Sequence, residues 1–228
     1  MKIGIIVAME RELALLLPLL SDTVSADVDG FTLIEGRMCN TGVVVMKSGI
    51  GKVNAALGAA AMIHHAAPDL IINSGVAGGT GAGAAILDVV LATEVAYHDV
   101  WCGPGNLPGQ VQGLPQRFSV APDVLALDIP GLKRGLIASG DQFVDTVEAL
   151  DRIRDIYPDV MAVDMESAPI AQVCRMMGVP FASVRVVSDT PGLADNTSQY
   201  LDFWTKAPEQ TFGALRSIVE SLDNPTLQ

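Results

Sequence analysis

Apolar residues fall into two kinds of pattern along this chain, and the two alternate. Near-continuous runs of Val, Ile, Ala and Leu mark strands covered on both faces, as in "KIGIIV" (Lys2 to Val7). Other stretches repeat apolar positions every three to four residues. Leu13, Leu16, Leu17 and Leu20 predict a core-facing helix over Met9 to Leu17, with Pro18 helping to end it. Strands are expected around Phe31 to Arg37 and Val43 to Ser48, after a loop at Asp29-Gly30. A helix over Lys52 to Ala66 follows, stopping before Pro68. "DLIINSGVAGGTGAG" reads as a buried strand entering a glycine-rich turn. "ILDVVLATEVAYHDV" reads as one long strand, or two joined by a bend, ending at His98-Asp99. Trp101 to Pro115 is rich in Gly and Pro and reads as an irregular loop.

The second half is organised around Val160 to Asp189. A strand from Arg134 to Val144 breaks at Gly140-Asp141, and a helix covers Val147 to Tyr157. Then come the strand "VMAVDME", a helix from Ser167 to Met177 and the strand "PFASVRVVSD". Strand, short helix and strand predict a βαβ unit with parallel strands. Ligands of open α/β sheets bind beyond the carboxyl ends of such strands, which places Glu166 and Asp189 at a candidate site. The turn-rich "TPGLADNTS" precedes a long helix from Gln199 to Leu222, with Pro208 as its expected kink. No internal repeat or linker interrupts the alternation, so one α/β domain is expected over residues 1–228.

Composition narrows the class. Half of the 228 residues are hydrophobic and 18% charged, which gives a core-rich chain rather than a disordered one. The net charge of -12 repels phosphate backbones and anionic membranes, so neither nucleic acid nor membrane is an expected partner. Cys39, Cys102 and Cys174 form neither a disulfide framework nor a metal-binding spacing, which suits a reducing cytoplasm. The N-terminal apolar run meets charge by Glu10, too early for a targeting segment, and a cytoplasmic location is expected.

Three carboxylates are candidates for chemistry: Glu12, Glu166 and Asp189. Glu12 lies in a first helical turn, where the macrodipole favours negative charge; acids also simply prefer helix starts. Placed there, it is expected to stay ionised. Asp189 closes an apolar strand beside Ser188, and desolvation raises a carboxyl pKa toward that of a proton donor. Arg185 shares its face with Asp189 if the strand stays regular; it either pairs with a site acid or satisfies a buried carboxylate. The "SGVAGG" glycines form either a backbone N–H nest for a ligand oxygen or a tight bend. His98 is either a base or a structural histidine beside Asp99, and Phe143 either caps the core or stacks on a planar ring.

Gly49 and Gly51 do not make a dinucleotide fingerprint, because Asn54 replaces its third glycine. Lys52 is followed by Val53, which excludes a P-loop. His64, His65 and His98 are not spaced with the acids as metal ligands, and no cofactor is expected. Carboxylates without a metal suit general acid and base work on a bond that breaks through a cation, as in inverting glycoside cleavage.

The motifs "KIGIIVAMERE", "KSGIGKVNAA", "IINSGVAGG", "SGDQFV", "VDMESAPIAQVC" and "VRVVSD" together resemble the nucleoside phosphorylase/nucleosidase family. The likeness runs from Met1 to about Phe203 and is nearest to the bacterial 5′-methylthioadenosine/S-adenosylhomocysteine nucleosidases. It implies a three-layer α/β/α fold with a central mixed twisted sheet. It also implies hydrolysis of a nucleoside N-glycosidic bond with release of adenine, and a homodimer.

By the same resemblance Glu12 is the water-activating base, and Asp189, assisted by Ser188, protonates the purine at N7. Glu166 and Met165 hold ribose hydroxyls, Phe143 stacks on adenine, and the Val144 backbone meets the purine edge. Met9, Ile50, Val76, Ala77 and Gly78 line the sugar and water side. Leu114, Pro115, Tyr200 and Phe203 border the 5′-alkylthio pocket, the first two contributed by the partner of the dimer. Asp164 stands where the family has Glu, Pro169 enters the first turn of the following helix, and the two pocket loops depart from the family pattern. Rival readings are a futalosine-type nucleosidase, a purine nucleoside phosphorylase and a non-catalytic nucleoside-binding module.

Overall fold

The computed structural model describes residues 1–191, 196–206 and 210–223. The first half runs β1 (Lys2–Val7), α1 (Glu10–Leu16), β2 (Ser21–Val28), β3 (Phe31–Met38), β4 (Thr41–Lys47), α2 (Lys52–Ala66), β5 (Leu70–Gly79) and β6 (Val89–Tyr97). The second half runs β7 (Arg117–Ser119), α3 (Pro122–Leu125), β8 (Leu132–Ser139), α4 (Val147–Ile156), β9 (Val160–Asp164), α5 (Ser167–Met177), β10 (Phe181–Asp189), α6 (Asn196–Lys206) and α7 (Gln210–Asp223). Helix α2 has the expected bounds, and its chain turns at Ala67 in a left-handed conformation before Pro68. Helix α5 also has its expected bounds and ends on Gly178 at φ 74°.

The described strands form one mixed sheet in the order β10-β6-β8-β9-β5-β1-β4-β3-β2, with the short β7 paired to β6, and β10 also pairs with β5. That extra pairing closes β5, β10, β6, β8 and β9 into a ring and leaves β1, β4, β3 and β2 as an open wing. The wing and ring share β5. Its start pairs in parallel with β1, Ile3 opposite Leu70, and its other edge pairs in parallel with β10 from Phe181 opposite Ile71. Strand β10 is buried along its whole length, its polar Ser183, Arg185, Ser188 and Asp189 included.

Closure corrects the expected βαβ unit. Strands β9 and β10, joined by α5, are neither neighbours nor parallel. Strand β9 is parallel to β8 and β8 to β6, but β6 is antiparallel to β10. The physical cause is the end of β5, where Gly78 and Gly79 pair with Val163 and Ala162 of β9. A Cβ on Gly79 would stand 2.6 Å from Val187 Cγ1 of β10, and one on Gly78 3.2 Å from Val163 Cγ2 of β9, so the glycines leave room for side chains of both neighbours. Gly78 is therefore flanked by Asp189 on one side and Val163 on the other. The carboxyl ends of both strands meet there by ring closure.

Other boundaries also differ. The expected strand "VMAVDME" ends at Asp164, and the expected Gln199–Leu222 helix is two helices, α6 starting at Asn196. The kink expected at Pro208 lies outside the described residues. Strand β2 is new: its residues are exposed or half-buried, so no apolar run announced it, and it is the sheet's edge against β3. The loop 101–115 is irregular as expected, tied back by Gly109 N–H to Val100 O at 2.7 Å. Helices α2 and α5 pack on each other and on the sheet, and α7 packs on β3, β4, β5 and β10. No helix among the described residues is long and apolar enough to cross a membrane.

Candidate active site

Buried charge concentrates where β5, β9 and β10 meet, around a cleft. Glu12, Glu166, Arg185, Ser188 and Asp189 all line it.

Glu12 is placed by the start of α1. As the third helical residue it reaches back, its Oε2 accepting from Ala8 N–H and Met9 N–H at 2.9 Å each. Its Oε1 accepts from Val76 N–H at 3.2 Å, so α1 and β5 hold it jointly. Gly75, at φ 149°, makes room: a Cβ there would stand 2.4 Å from Glu12 Oε1 and 2.7 Å from Arg185 Nη1. Burial raises the Glu12 pKa, while Arg185 and the three backbone donors pull it down. The helix start alone predicted an ionised group; desolvation outweighs that dipole.

Arg185 on β10 is fully buried and is, among the described residues, the one cation lining the cleft. Its Nη2 lies 2.8 Å from Asp164 Oδ2 and 3.3 Å from Glu166 Oε2, and it donates to Asn73 Oδ1. Despite burial, Asp164, Glu166 and Glu12 keep it protonated. Asp164 is fixed in turn by Ser139 Oγ at 2.5 Å and by the Ser167 hydroxyl. Asn73 is oriented by its Nδ2 donating to Ile6 O at 3.0 Å. Glu166 Oε1 accepts from Gly51 N–H at 3.0 Å, at the entry to α2. Burial pushes the Glu166 pKa up, Arg185 opposes the shift, and Asp164 adds to it.

Asp189 sits apart from that network. Its Oδ1 accepts from Ser188 Oγ at 2.5 Å and its Oδ2 from Asn196 Nδ2. Burial raises its pKa over the opposing effect of both bonds, as a proton donor requires. The strand does not stay regular to this point, because the register shifts between Val187 and Asp189. The same-face argument for Arg185 and Asp189 therefore fails, and the bulge at Ser188 re-aims the aspartate.

Of the remaining expected residues, Met9, Ile50, Val76, Ala77 and Gly78 line the cleft, as do Phe143, Val144, Met165 and Tyr200. Phe143 is 46% exposed and meets Tyr200 edge to face at 5.6 Å, leaving a ring free to stack. Its segment is pinned to the start of α2 through Lys52 N–H to Asp141 Oδ1, 2.7 Å. Phe203 is not in the cleft: it is buried against Val186 and Trp204. Leu114 and Pro115 of the same chain are not among its lining residues, as expected of positions assigned to the partner's side. His98 stays outside as well, with a buried Nε2 that has no hydrogen-bond partner. Sequence reasoning missed Ala8, Gln142 and Val163 as lining residues, and gave Asp164 only a structural part. Among the described residues, no group of three His, Cys, Asp or Glu is placed to hold a metal ion.

Fold and cleft together define an α/β protein built for acid–base chemistry on a small, partly planar ligand. Residues 2–220 match the family model of the phosphorylase superfamily, and the chain belongs to that superfamily. It is 37% identical, over 98% of its length and the whole of the relative, to a 5′-methylthioadenosine/S-adenosylhomocysteine nucleosidase of Anoxybacillus flavithermus. The S-adenosylhomocysteine nucleosidase of Streptococcus pyogenes, solved with 5-methylthiotubericidin, superposes with a TM-score of 0.91 at 37% identity, covering 97% of each chain. The 5′-methylthioadenosine/S-adenosylhomocysteine nucleosidase of S. pneumoniae, solved with the transition-state inhibitor MT-ImmA, gives 0.92 at 35%, covering 98% of this chain and 100% of that one.

Proposed function

We propose that this protein hydrolyses the N-glycosidic bond of 5′-methylthioadenosine and S-adenosylhomocysteine and releases adenine. The observation that carries the reading is two separately held acidic groups lining one cleft. A desolvated Asp189 is bonded to Ser188 and Asn196, and Glu12 and Glu166 lie around Arg185. Asp189, oriented by Ser188 and Asn196, protonates N7, so adenine leaves as a neutral base. Glu12 takes a proton from the attacking water. Glu166 holds the ribose hydroxyls, and ionised Glu12 and Glu166 stabilise the oxocarbenium charge. Phe143 stacks on the purine, beside the Val144 backbone.

Hydrolysis is favoured over phosphorolysis by charge. A phosphate in the water position faces Glu12, and two charges ~4 Å apart repel by about 4 kcal/mol at an effective dielectric of 20. Arg185 does not offset this, being already engaged by Asp164 and Glu166. Adenine release from 5′-methylthioadenosine is expected to proceed at the same rate with and without inorganic phosphate. Strict phosphate dependence would overturn the reading.

The same reading includes a homodimer. It is supported by the exposed Ile50, Val53 and Leu57 at and along the start of α2. Beside them, Val53 and Val173 line an apolar groove with Val100 and Val111 of the loop. Burying such a face against a second copy removes apolar area from water. Light scattering should return about twice the 23.9 kDa chain mass, and a monomer at micromolar concentration would remove this part.

A further inference from the structure

The side of the cleft made by Met9 and Tyr200 ends in an exposed cation. Arg11 follows Met9 by two residues on α1, and its guanidinium carbon stands 4.9 Å from the centroid of the Trp204 ring. Trp204 meets Tyr200 edge to face at 6.2 Å, and Tyr200 meets Phe143 in the same way. A row of aromatic rings thus leads from the stacking face of the cleft outward to Arg11. Tyr200 Oη reaches Met9 Sδ at 3.4 Å, which ties the row to the cleft's apolar side. Stacking on an indole holds a guanidinium in place without neutralising it.

Its surroundings leave the charge unspent. Among the described residues no carboxylate pairs with Arg11. The adjacent Glu10 is taken by Lys47 at 2.7 Å. In a chain of net charge -12, this placement is what lets an anionic group approach the cleft. With adenine at Asp189 and Phe143, and ribose between Glu166 and Glu12, the 5′ substituent is left the side of Met9, Ile50 and Tyr200. A methylthio group ends among those apolar side chains. A longer thioether emerges past Tyr200 toward Trp204 and Arg11.

We propose that Arg11 is a specificity residue, which selects nucleosides whose 5′-thioether chain ends in a carboxylate. The proposal rests on the nucleosidase reading above and assigns the outer end of that same site. It makes S-adenosylhomocysteine, with its amino-acid tail, the substrate that gains from this residue, whereas 5′-methylthioadenosine does not reach it.

The test compares kcat/KM for three nucleosides: 5′-methylthioadenosine, S-adenosylhomocysteine, and the aminopropylthio analogue that lacks only the carboxylate. In Arg11→Met the ratio for S-adenosylhomocysteine over 5′-methylthioadenosine should fall about fivefold, the scale of an exposed ion pair. The ratio for the aminopropylthio analogue should hold or rise, because its ammonium loses a repelling neighbour. Arg11→Glu should deepen the first change and enlarge the second, and added salt should shrink both. Ratios that stay fixed in both variants overturn the proposal and leave the nucleosidase reading standing. A wild-type protein that cleaves none of the three overturns both.

Discussion

Asp189→Asn is expected to lower kcat by at least ~100-fold, the usual scale for losing a general acid, in a protein that stays folded. Ser188 Oγ can still donate to the side-chain oxygen left at 189. The contact to Asn196 would become amide to amide. Asn196 Oδ1, however, is buried with no partner, so a flip of that amide turns an acceptor toward the new N–H. The substitution thus removes the proton and little else. Glu12→Gln should cost at least as much activity and is less clean. Both Glu12 oxygens accept backbone N–H bonds, so a glutamine must turn its own N–H onto one of those donors.

A riboside whose leaving group departs without a proton separates the two roles. Asp189→Asn should cleave it nearly as well as wild type, and Glu12→Gln should not. The pH profile gives the sign independently. Glu12 must lose its proton, so the rate falls as pH drops through its raised pKa. Asp189 must keep its proton, so the rate falls as pH rises through its own raised pKa. The basic limb should vanish in Asp189→Asn. Its persistence there would assign the acid to another group.

Strands buried on both faces were legible because their cause is local: β1 carries only apolar residues and Gly after Lys2, β5 opens on Leu-Ile-Ile, and β10 holds Val184, Val186 and Val187. β2 was illegible for the same reason, since an exposed edge strand carries no apolar signature. The misread βαβ unit shows where local inference stops. A strand, a short helix and a strand do predict parallel neighbours, but β5 lies between β9 and β10, pairing with β9 through Gly78 and Gly79, and "GVAGG" was read only as a bend or nest. The acids were individually visible at strand ends and at a helix start. The frame around Arg185 was not, because Asn73, Ser139 and the pair Asp164 and Ser167 come from three separate segments and converge only in the folded ring. Phe203 fails in the opposite direction. It follows Tyr200 by three residues, close on a helix surface, yet it turns under Val186 while Tyr200 lines the cleft.

Arg185→Met should destabilise the fold by about 3–5 kcal/mol, the scale for removing one partner of a buried ion pair. Methionine fills much of the volume, so packing changes little. What is lost is, among the described residues, the only cation facing Asp164, Glu166 and Glu12, together with one donor to Asn73 Oδ1. Burial already raises the pKa of Glu12 and of Glu166, and Arg185 is what holds both back. Without it they rise further above their unfolded values. A carboxyl raised in the folded state contributes stability at low pH and withdraws it as pH rises. The gap between variant and wild type in urea unfolding should therefore be small near about pH 5 and widen toward about pH 8. Asp164→Asn in the same chain should recover part of it by deleting one stranded charge. A gap that does not change with pH would mean that these carboxyls already carry protons in the wild type. Arg185 would then hold the site by hydrogen bonds alone, and ionised Glu166 could not stabilise the oxocarbenium charge assigned to it.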